Sequence, residues 1–156
     1  MHLARWKVLD DRSYEDQLLF AYWQQVGGLI FAEVTVGKGG MRQYQPGAKP
    51  RRIDGVRIIS TSAAPVVPDL ITFNTRLNGH EFEHLVTGAE LEVIEVKYDL
   101  ERCVIGQVMV GADLMELEYQ PARVAQVIVC EEGDPVLERV CEKRAIRLWM
   151  PARSTR

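Results

Sequence analysis

The chain lacks the long apolar segments that membrane and secreted proteins carry. No run of about eighteen apolar residues occurs, and the first residues, Met1 to Lys7, form no hydrophobic stretch that would serve as a signal peptide. We therefore expect a cytoplasmic protein with no membrane partner. Repeats and low-complexity segments are also missing, as are the nucleophile elbow, the P-loop and the dinucleotide fingerprint. The sequence thus gives no motif evidence for the enzyme classes that those three motifs mark.

Cysteine and excess charge are scarce too. The three cysteines, Cys103, Cys130 and Cys141, have no paired spacing, which favours buried free thiols in a reducing cytosol over a disulfide or a zinc site. A net charge of −3 provides no general argument for nucleic acid, so any such binding requires a local patch. A length of 156 residues with 47% apolar residues suits one domain, here 1–156, with a good core.

One such patch exists in this weakly acidic chain. Residues 38–57 contain six basic residues against a single acid, Asp54. This composition suits a phosphate backbone, and the candidate nucleic-acid contacts are Arg42, Lys49, Arg51 and Arg52. A solvated basic loop would explain the same composition.

Apolar periodicity, caps and turn residues predict a succession of helices and strands. The expected helices cover 13–26, 79–86, 100–119 and 134–143, and the expected strands cover 29–36, 52–59, 69–73, 91–97, 123–130 and 145–150. Ser13 as N-cap, with Asp16 at the third helical position, marks the start of the first helix. The core order, helix, three strands, helix, strand, helix, strand, indicates an α/β fold with a mixed central β-sheet flanked by helices.

The strand expected at residues 91–97 carries unusual charges for its position. Alternation places Leu91, Val93, Glu95 and Lys97 on one side, so that this side begins apolar and ends with a carboxylate beside an ammonium. Burying such a pair has an unfavourable free energy of several kcal/mol per ion before compensation. A divalent cation held by Glu95 and a second carboxylate would change that balance. An ordinary surface ion pair at a strand end is the alternative interpretation.

Asp54 is the candidate for the second carboxylate. Two antiparallel strands joined by a long excursion would bring Asp54 near Glu95 and Lys97. If residue 60 faces residue 90, residue 54 faces residue 96. Two carboxylates and a strand carbonyl suit Mg²⁺, which prefers oxygen ligands and keeps several waters. Lys97 would then orient or activate a water for attack on a phosphodiester.

This pattern resembles the PD-(D/E)xK, or restriction-endonuclease-like, nuclease superfamily, which includes restriction endonucleases, Holliday junction resolvases and repair nucleases. The resemblance rests on Asp54, on the run Ile94-Glu95-Val96-Lys97, and on Gln107 in the helix that follows. It covers roughly residues 13–130 and extends to the order of the elements. It implies a restriction-endonuclease-like core and a nuclease that depends on Mg²⁺ or Mn²⁺.

The resemblance also implies a role for each matching residue. Asp54 and Glu95, with the main-chain carbonyl of Val96, would bind the metal, and Lys97 would be the catalytic lysine. Glu15 matches an acid that many members carry in the first helix, and Gln107 matches a glutamine that often follows the lysine. The expected partner is DNA, ahead of RNA, and a homodimer is compatible with the resemblance.

Two features depart from the family pattern. The distance between Asp54 and Glu95 requires an insertion at about residues 60–90, and this insertion contains a rival, Asp69, in a literal Pro-Asp pair. We favour Asp54 because it lies in the basic segment and begins a longer strand, whereas Asp69 would simply turn the chain. Glu33 is a further candidate metal ligand, although a salt bridge to Arg51 or Arg52 explains it equally well.

Two other functions stay open. The run from His80 to His84 has the HExxH spacing, so that a zinc hydrolase using His80, Glu81 and His84 is one alternative. Glu83 inside the motif departs from the metalloprotease pattern, and a helix that packs Phe82 inward explains the run more simply. The other alternative is a catalytically silent module of the same fold that binds nucleic acid or supports an assembly.

Overall fold

The computed structural model of the protein describes residues 13–37, 47–64, 67, 69–73 and 79–152. These residues form a mixed six-stranded sheet flanked by four helices. The helices are α1 (Tyr14–Val26), α2 (Gly79–Val86), α3 (Arg102–Tyr119) and α4 (Pro135–Lys143). The strands are β1 (Leu29–Val36), β2 (Arg51–Ser60), β3 (Leu70–Phe73), β4 (Glu90–Asp99), β5 (Arg123–Glu132) and β6 (Ile146–Trp149). Among the described helices, none combines the length and the apolar character that a membrane crossing requires.

The sheet has the strand order β3-β1-β2-β4-β5-β6. Strand β2 pairs antiparallel with β1 and β4, whereas β1 with β3, β4 with β5, and β5 with β6 pair in parallel. The prediction of an α/β fold with a mixed central sheet flanked by helices is therefore confirmed. The predicted core order is present as well, and α4 and β6 follow it.

Strand β4 lies inside the sheet and contributes to the hydrophobic core on both faces. Leu91 and Val93 pack in a cluster with side chains of α2, α3 and α4, whereas Ile94 and Val96 pack in a second cluster with α1. All four side chains are almost fully buried. Because burial of a Val, Leu or Ile side chain contributes about 1.5–3 kcal/mol, this alternation fixes which face each β4 residue occupies.

The helix starts follow local capping chemistry. The Ser13 hydroxyl accepts the Asp16 amide at 3.2 Å, which confirms the predicted N-cap and places Glu15 in the first turn of α1. Helix α3 begins two residues later than predicted, because the Leu100 amide donates to the Glu132 carbonyl at 2.9 Å and Glu101 occupies the cap position. The strand end thus competes with the helix for Leu100.

The predicted register between β2 and β4 is wrong by one residue. Ser60 does face Glu90, but Ile58 faces Leu91 and Gly55 faces Ile94. Strand β2 therefore contains one extra residue between Ile58 and Ser60, as in a β-bulge. Continued from Gly55, this register sets Asp54 opposite Glu95 rather than opposite Val96.

Helix α3 lies unusually close to the sheet at Gly111. A Cβ atom added there would meet Ile53 Cγ1 and Val93 Cγ1, each at 3.3 Å, so a larger residue would require these side chains to move by a few tenths of an ångström. The contact sets α3 against β2 and β4 together. One turn earlier on α3, Gln107 lines the same cavity as Glu95 of β4.

A buried ion cluster connects β4 to β2, β6 and α1 on the other face. Glu92 is 2% exposed, and its carboxylate pairs with Arg57 Nη1 at 3.1 Å and with the guanidinium of Arg147. The Tyr22 hydroxyl donates to the same carboxylate at 3.0 Å. Arg57 also donates to the carbonyls of Val26 and Gly27 at the end of α1. Such a cluster stabilises the fold only while every partner is present.

We expect Arg57→Met to lower the free energy of unfolding by about 2 to 4 kcal/mol, because it leaves Glu92 with one ionic partner fewer in a dry environment. Urea denaturation at neutral pH measures the loss. Arg123→Met, at an exposed position of β5, is the matched control and should stay close to wild type. In the Arg57→Met background, Glu92→Gln should recover part of the loss, and a further loss would contradict this account.

Candidate active site

Asp54 and Glu95 meet at the end of the β2–β4 pairing. The described main-chain register between these strands ends at Gly55 and Ile94. Beyond it, Asp54 Oδ2 accepts the amide of Val96 at 2.8 Å, so that a side-chain carboxylate takes the position that a strand carbonyl would otherwise hold. Glu95 is 4% exposed, and its carboxyl group shares a hydrogen bond with that of Asp54. The structure thus brings together the two carboxyl groups singled out in the sequence.

This pair holds a proton at neutral pH. Burial, and then the proximity of Asp54, raise the pKa of Glu95 from 4.5 to about 9. Burial also raises the pKa of Asp54, against the opposing effect of the Val96 amide. Two carboxylates in contact cannot both stay ionised in a low-dielectric site. Glu95 therefore carries the proton and donates it to Asp54.

Lys97 and Glu15 form the neighbouring ion pair. Lys97 Nζ lies 3.1 Å from Glu15 Oε1, and the side chains are 33% and 45% exposed. The hydrogen bond to Glu15 is the main cause that raises the pKa of Lys97, with Asp54 contributing through its charge. Lys97 is thus a fully charged ammonium at neutral pH. Its partner belongs to α1, which packs on the opposite face from α3. The ion pair and the carboxyl pair therefore lie together where β2 and β4 separate.

A cleft of about 600 Å³ opens between β2 and α3 next to this cluster. Its lining includes Glu95, Gln107, Arg51 and Arg52, four of the residues that the sequence analysis selected. The remaining lining residues are mainly apolar or small: Val36, Ile53, Cys103, Gly106, Val110, Gly111 and Leu114. Carboxyl, amide and guanidinium groups therefore line a shared space where β2 and β4 separate.

The other basic candidates are distributed unevenly. Arg52 Nη1 lies 3.3 Å from Glu33 Oε1, so Glu33 forms the salt bridge to Arg52 that was the alternative to a metal-binding role. Arg51 Nη1 donates to the carbonyl of Lys49 at 2.9 Å, and the Lys49 side chain is exposed. Arg42 lies outside the described residues. Three of the four candidates therefore line or border the cleft, and all three are accessible to a polyanion.

The rival Asp69 lies at the other end of the sheet. Its Oδ1 accepts the Gly28 amide at 2.5 Å and closes the connection between α1 and β1. Gly28 precedes Leu29, which is level with Ile58 and Leu91 across the sheet. Glu95 follows Leu91 by four residues, which corresponds to about 13 Å along the strand. The geometry therefore favours Asp54 as the partner of Glu95.

The two histidines of the HExxH run lie on the surface. Helix α2 buries Phe82, as expected, and leaves His80, Glu81 and His84 exposed. The histidines line a surface pocket with Glu83 and residues of the preceding loop. Within the described ranges, no group of three or more His, Cys, Asp or Glu side chains is arranged to hold a metal ion.

The Asp54–Glu95 pair nevertheless fits a hard divalent cation by its donor set. Mg²⁺ commonly binds through one or two carboxylates and keeps several waters, so it does not need three protein carboxylates around one point. Glu95 keeps a proton because the surrounding groups do not neutralise two carboxylates here, and a cation could take the place of that proton. A site of this kind suits Mg²⁺ or Mn²⁺ better than zinc, which prefers nitrogen and sulfur ligands.

The sequence did not predict the burial partners of two acids, Glu92 and Glu118, and the prediction that Cys103 is buried is wrong. Glu92 was placed on the second face of β4 but its partners were not foreseen, and Glu118 is buried in α3, where it accepts the Gly37 amide. Burial raises the pKa of Glu118. Cys130 and Cys141 are buried free thiols as expected, but Cys103 is exposed, because α3 turns it toward the cleft.

Comparison with protein-family models, with curated proteins and with solved structures finds no match to this chain. The chemistry of the site is therefore inferred from its own side chains.

The proton on Glu95 makes stability depend on pH. The unfolded chain loses this proton near pH 4.5 and the folded chain only near pH 9, so the stabilisation by neutral Glu95 is complete below about pH 4.5 and is lost as the pH rises through about 9. The free energy of unfolding of metal-free protein should fall across this range with a slope of at most about 1.4 kcal/mol per pH unit. Urea denaturation at several pH values measures it.

Glu95→Gln should flatten this profile, because an amide cannot ionise. Glu101→Gln, at an exposed position just before α3, should keep the wild-type slope. An unchanged slope in Glu95→Gln would contradict the assignment of the proton.

Proposed function

We propose that this protein is a nuclease of the PD-(D/E)xK type, with a restriction-endonuclease-like core, that hydrolyses phosphodiester bonds in DNA with Mg²⁺ or Mn²⁺. The observation that carries the proposal is the proton-sharing pair of Asp54 and Glu95 beside the charged Lys97. If Glu95 and Lys97 formed a purely structural ion pair, the buried carboxyl group of Asp54 in contact with Glu95 would not be required.

The metal would be held by Asp54, Glu95 and the main-chain carbonyl of Val96. In an extended strand, the amide and the carbonyl of one residue point toward the same neighbouring strand. The Val96 amide points at Asp54, and so its carbonyl faces the same gap beyond the end of the β2 register. When bound, a divalent cation supplies Lewis-acid stabilisation of the charge that develops on the phosphoryl oxygens.

The remaining side chains would position water and substrate. Lys97 is held at 3.1 Å by Glu15, so its ammonium has a fixed place from which to orient the attacking water or to stabilise charge on the phosphate. Gln107 faces the cleft from α3 and offers both a donor and an acceptor to substrate or water. These contributions come from fixed geometry, which lowers the entropic part of the barrier.

The arginines supply the binding surface. Arg51 and Arg52 line the cleft that contains Glu95, so a phosphate attracted by their guanidinium groups would lie close to the carboxyl pair. The same residues would serve a catalytically silent nucleic-acid-binding module of this fold. Cleavage itself separates the two functions, because a silent module would bind DNA through these arginines without hydrolysing it.

We expect wild-type protein to cut DNA with Mg²⁺ or Mn²⁺, and Lys97→Ala to reduce cleavage by about 10²- to 10³-fold, the usual effect of removing one fixed group that stabilises charge in the transition state. Titration calorimetry with Mn²⁺ should show that Lys97→Ala still binds the cation, since both carboxylates remain. Lys143→Ala, at an exposed position of α4, is the matched control and should cut like wild type.

Two outcomes would contradict this proposal. Equal cleavage by wild type and Lys97→Ala would remove the catalytic role of the lysine. Failure of the wild type to cut any substrate in a panel of single-stranded, duplex, flap and junction DNA would leave the silent module as the remaining function.

Neutralising Lys49, Arg51 and Arg52 together should weaken DNA binding and flatten its dependence on salt. For every phosphate that the protein no longer neutralises, the slope of log affinity against log salt should fall by about 0.9 for duplex DNA and about 0.7 for a single strand. Fluorescence anisotropy over a salt series measures the slope. The matched control neutralises the exposed basic residues of α4 and its cap, Arg139, Lys143 and Arg144. Equal slopes in both triple variants would mean that the arginines of β2 bind no phosphate.

A further inference from the structure

One wall of the cleft is a stripe along α3, of which the proposed hydrolysis uses only Gln107. Its members recur at helical spacing and are small, apolar or amide-bearing: Cys103, Gly106, Gln107, Val110, Gly111 and Leu114. Val110 is 49% exposed. A Cβ atom at Gly106 would meet no atom within 4 Å among the described residues, so the space beside it is open. The stripe therefore presents apolar surface to a space wide enough for a ligand.

The opposite wall combines apolar and cationic groups. Val36 and Ile53 line this side but are almost fully buried, whereas Arg51 and Arg52 are exposed. A guanidinium group stacks on planar aromatic rings and also binds phosphate. Gln107 adds an amide that can pair with the edge of a heterocycle. The cleft thus offers apolar walls, planar cations and one amide within a single space.

We propose that this cleft holds an unpaired nucleobase next to the reacting phosphate, so that the substrate is single-stranded or locally unpaired DNA. The inference rests on the nuclease function proposed above and specifies its substrate. Stacked bases inside a duplex are hidden, and a duplex would present hydrated phosphates to the apolar walls. An unpaired base instead offers an apolar face for the walls and a polar edge for Gln107. The volume of about 600 Å³ lies within the range of small-molecule sites.

Filling the cleft tests the proposal. Gly106→Leu places an isobutyl group in the open space, and replacing a helix-interior glycine favours the helix, so the variant should fold. The probe is a short single strand that carries one 2-aminopurine, whose fluorescence responds to its stacking environment. Both proteins also carry Glu95→Gln, and metal is omitted, so that no cleavage disturbs the measurement.

We expect the unfilled protein to change the 2-aminopurine fluorescence and to bind the single strand more tightly than the matching duplex. Gly106→Leu should abolish the fluorescence change and weaken single-strand binding by roughly 10- to 100-fold, the effect of losing one stacked base. Glu116→Leu is the matched control, because it adds the same side chain to α3 outside the cleft. It removes a negative charge, so it should not weaken binding of a polyanion.

A chemical block provides a second measurement. Cys103 is the exposed thiol of the chain, whereas Cys130 and Cys141 are buried, so a bulky maleimide should label Cys103 selectively and occlude the cleft. Labelled protein should lose the 2-aminopurine response as Gly106→Leu does.

The outcomes separate this inference from the nuclease proposal. Unchanged fluorescence response and affinity after Gly106→Leu and after labelling would overturn the assignment of the cleft, whether or not the wild type cuts DNA. The fluorescence response could be lost both in Gly106→Leu and after labelling while the wild type cuts no substrate with Mg²⁺ or Mn²⁺. That result would support the cleft as a base-binding site and would contradict only the nuclease proposal.

Discussion

A carboxylate taken out of water has to be neutralised, and strand β4 buries two of them, one on each face. Glu92 is neutralised by two arginines and a tyrosine hydroxyl, which connect β2, β6 and α1. Among the residues that the structure describes, no arginine forms a salt bridge with Glu95. Burial, and then the proximity of Asp54, raise its pKa to about 9, so Glu95 is neutralised by a proton that it shares with Asp54. The same physical requirement therefore produces a structural cluster on one face and a proton-sharing pair on the other.

Helix α1 connects the two clusters. At its C-terminal end, Tyr22 bonds to Glu92, and the last carbonyls accept hydrogen bonds from Arg57. At its first turn, Glu15 pairs with Lys97 beside the carboxyl pair. The hydrophobic stripe of α1 packs on Ile94 and Val96 between these points. The buried cluster thus fixes the helix that presents Glu15, and the partly exposed ion pair contributes little stability of its own.

Close helix packing shapes the other side of the site. Gly111 allows α3 to approach β2 and β4, while Gly106, five residues earlier, leaves open space beside the helix. The result is a cleft between a helical stripe and the arginines of β2, with Glu95 at its edge. Cleft and carboxyl pair therefore arise from one arrangement of three elements, which is why a substrate bound in the cleft would bring its phosphate to the carboxylates.

The sequence by itself determined the local features of this protein. Periodicity and caps located the helices and strands to within about two residues, since these signals depend on neighbours along the chain. Alternation separated the two faces of β4, and composition identified the basic segment around Arg51 and Arg52. Phe82 was correctly expected to pack inward from α2.

Only the tertiary structure decided which distant residues meet. The extra residue between Ile58 and Ser60 moved Asp54 opposite Glu95, and a bulge of this kind leaves no reliable signal in the sequence. The choice between Asp54 and Asp69 likewise depended on which strands are neighbours. The exposure of Cys103 depended on how α3 rotates against the sheet. Each of these outcomes is set by pairing and packing between elements far apart in the chain, where short-range patterns carry no information.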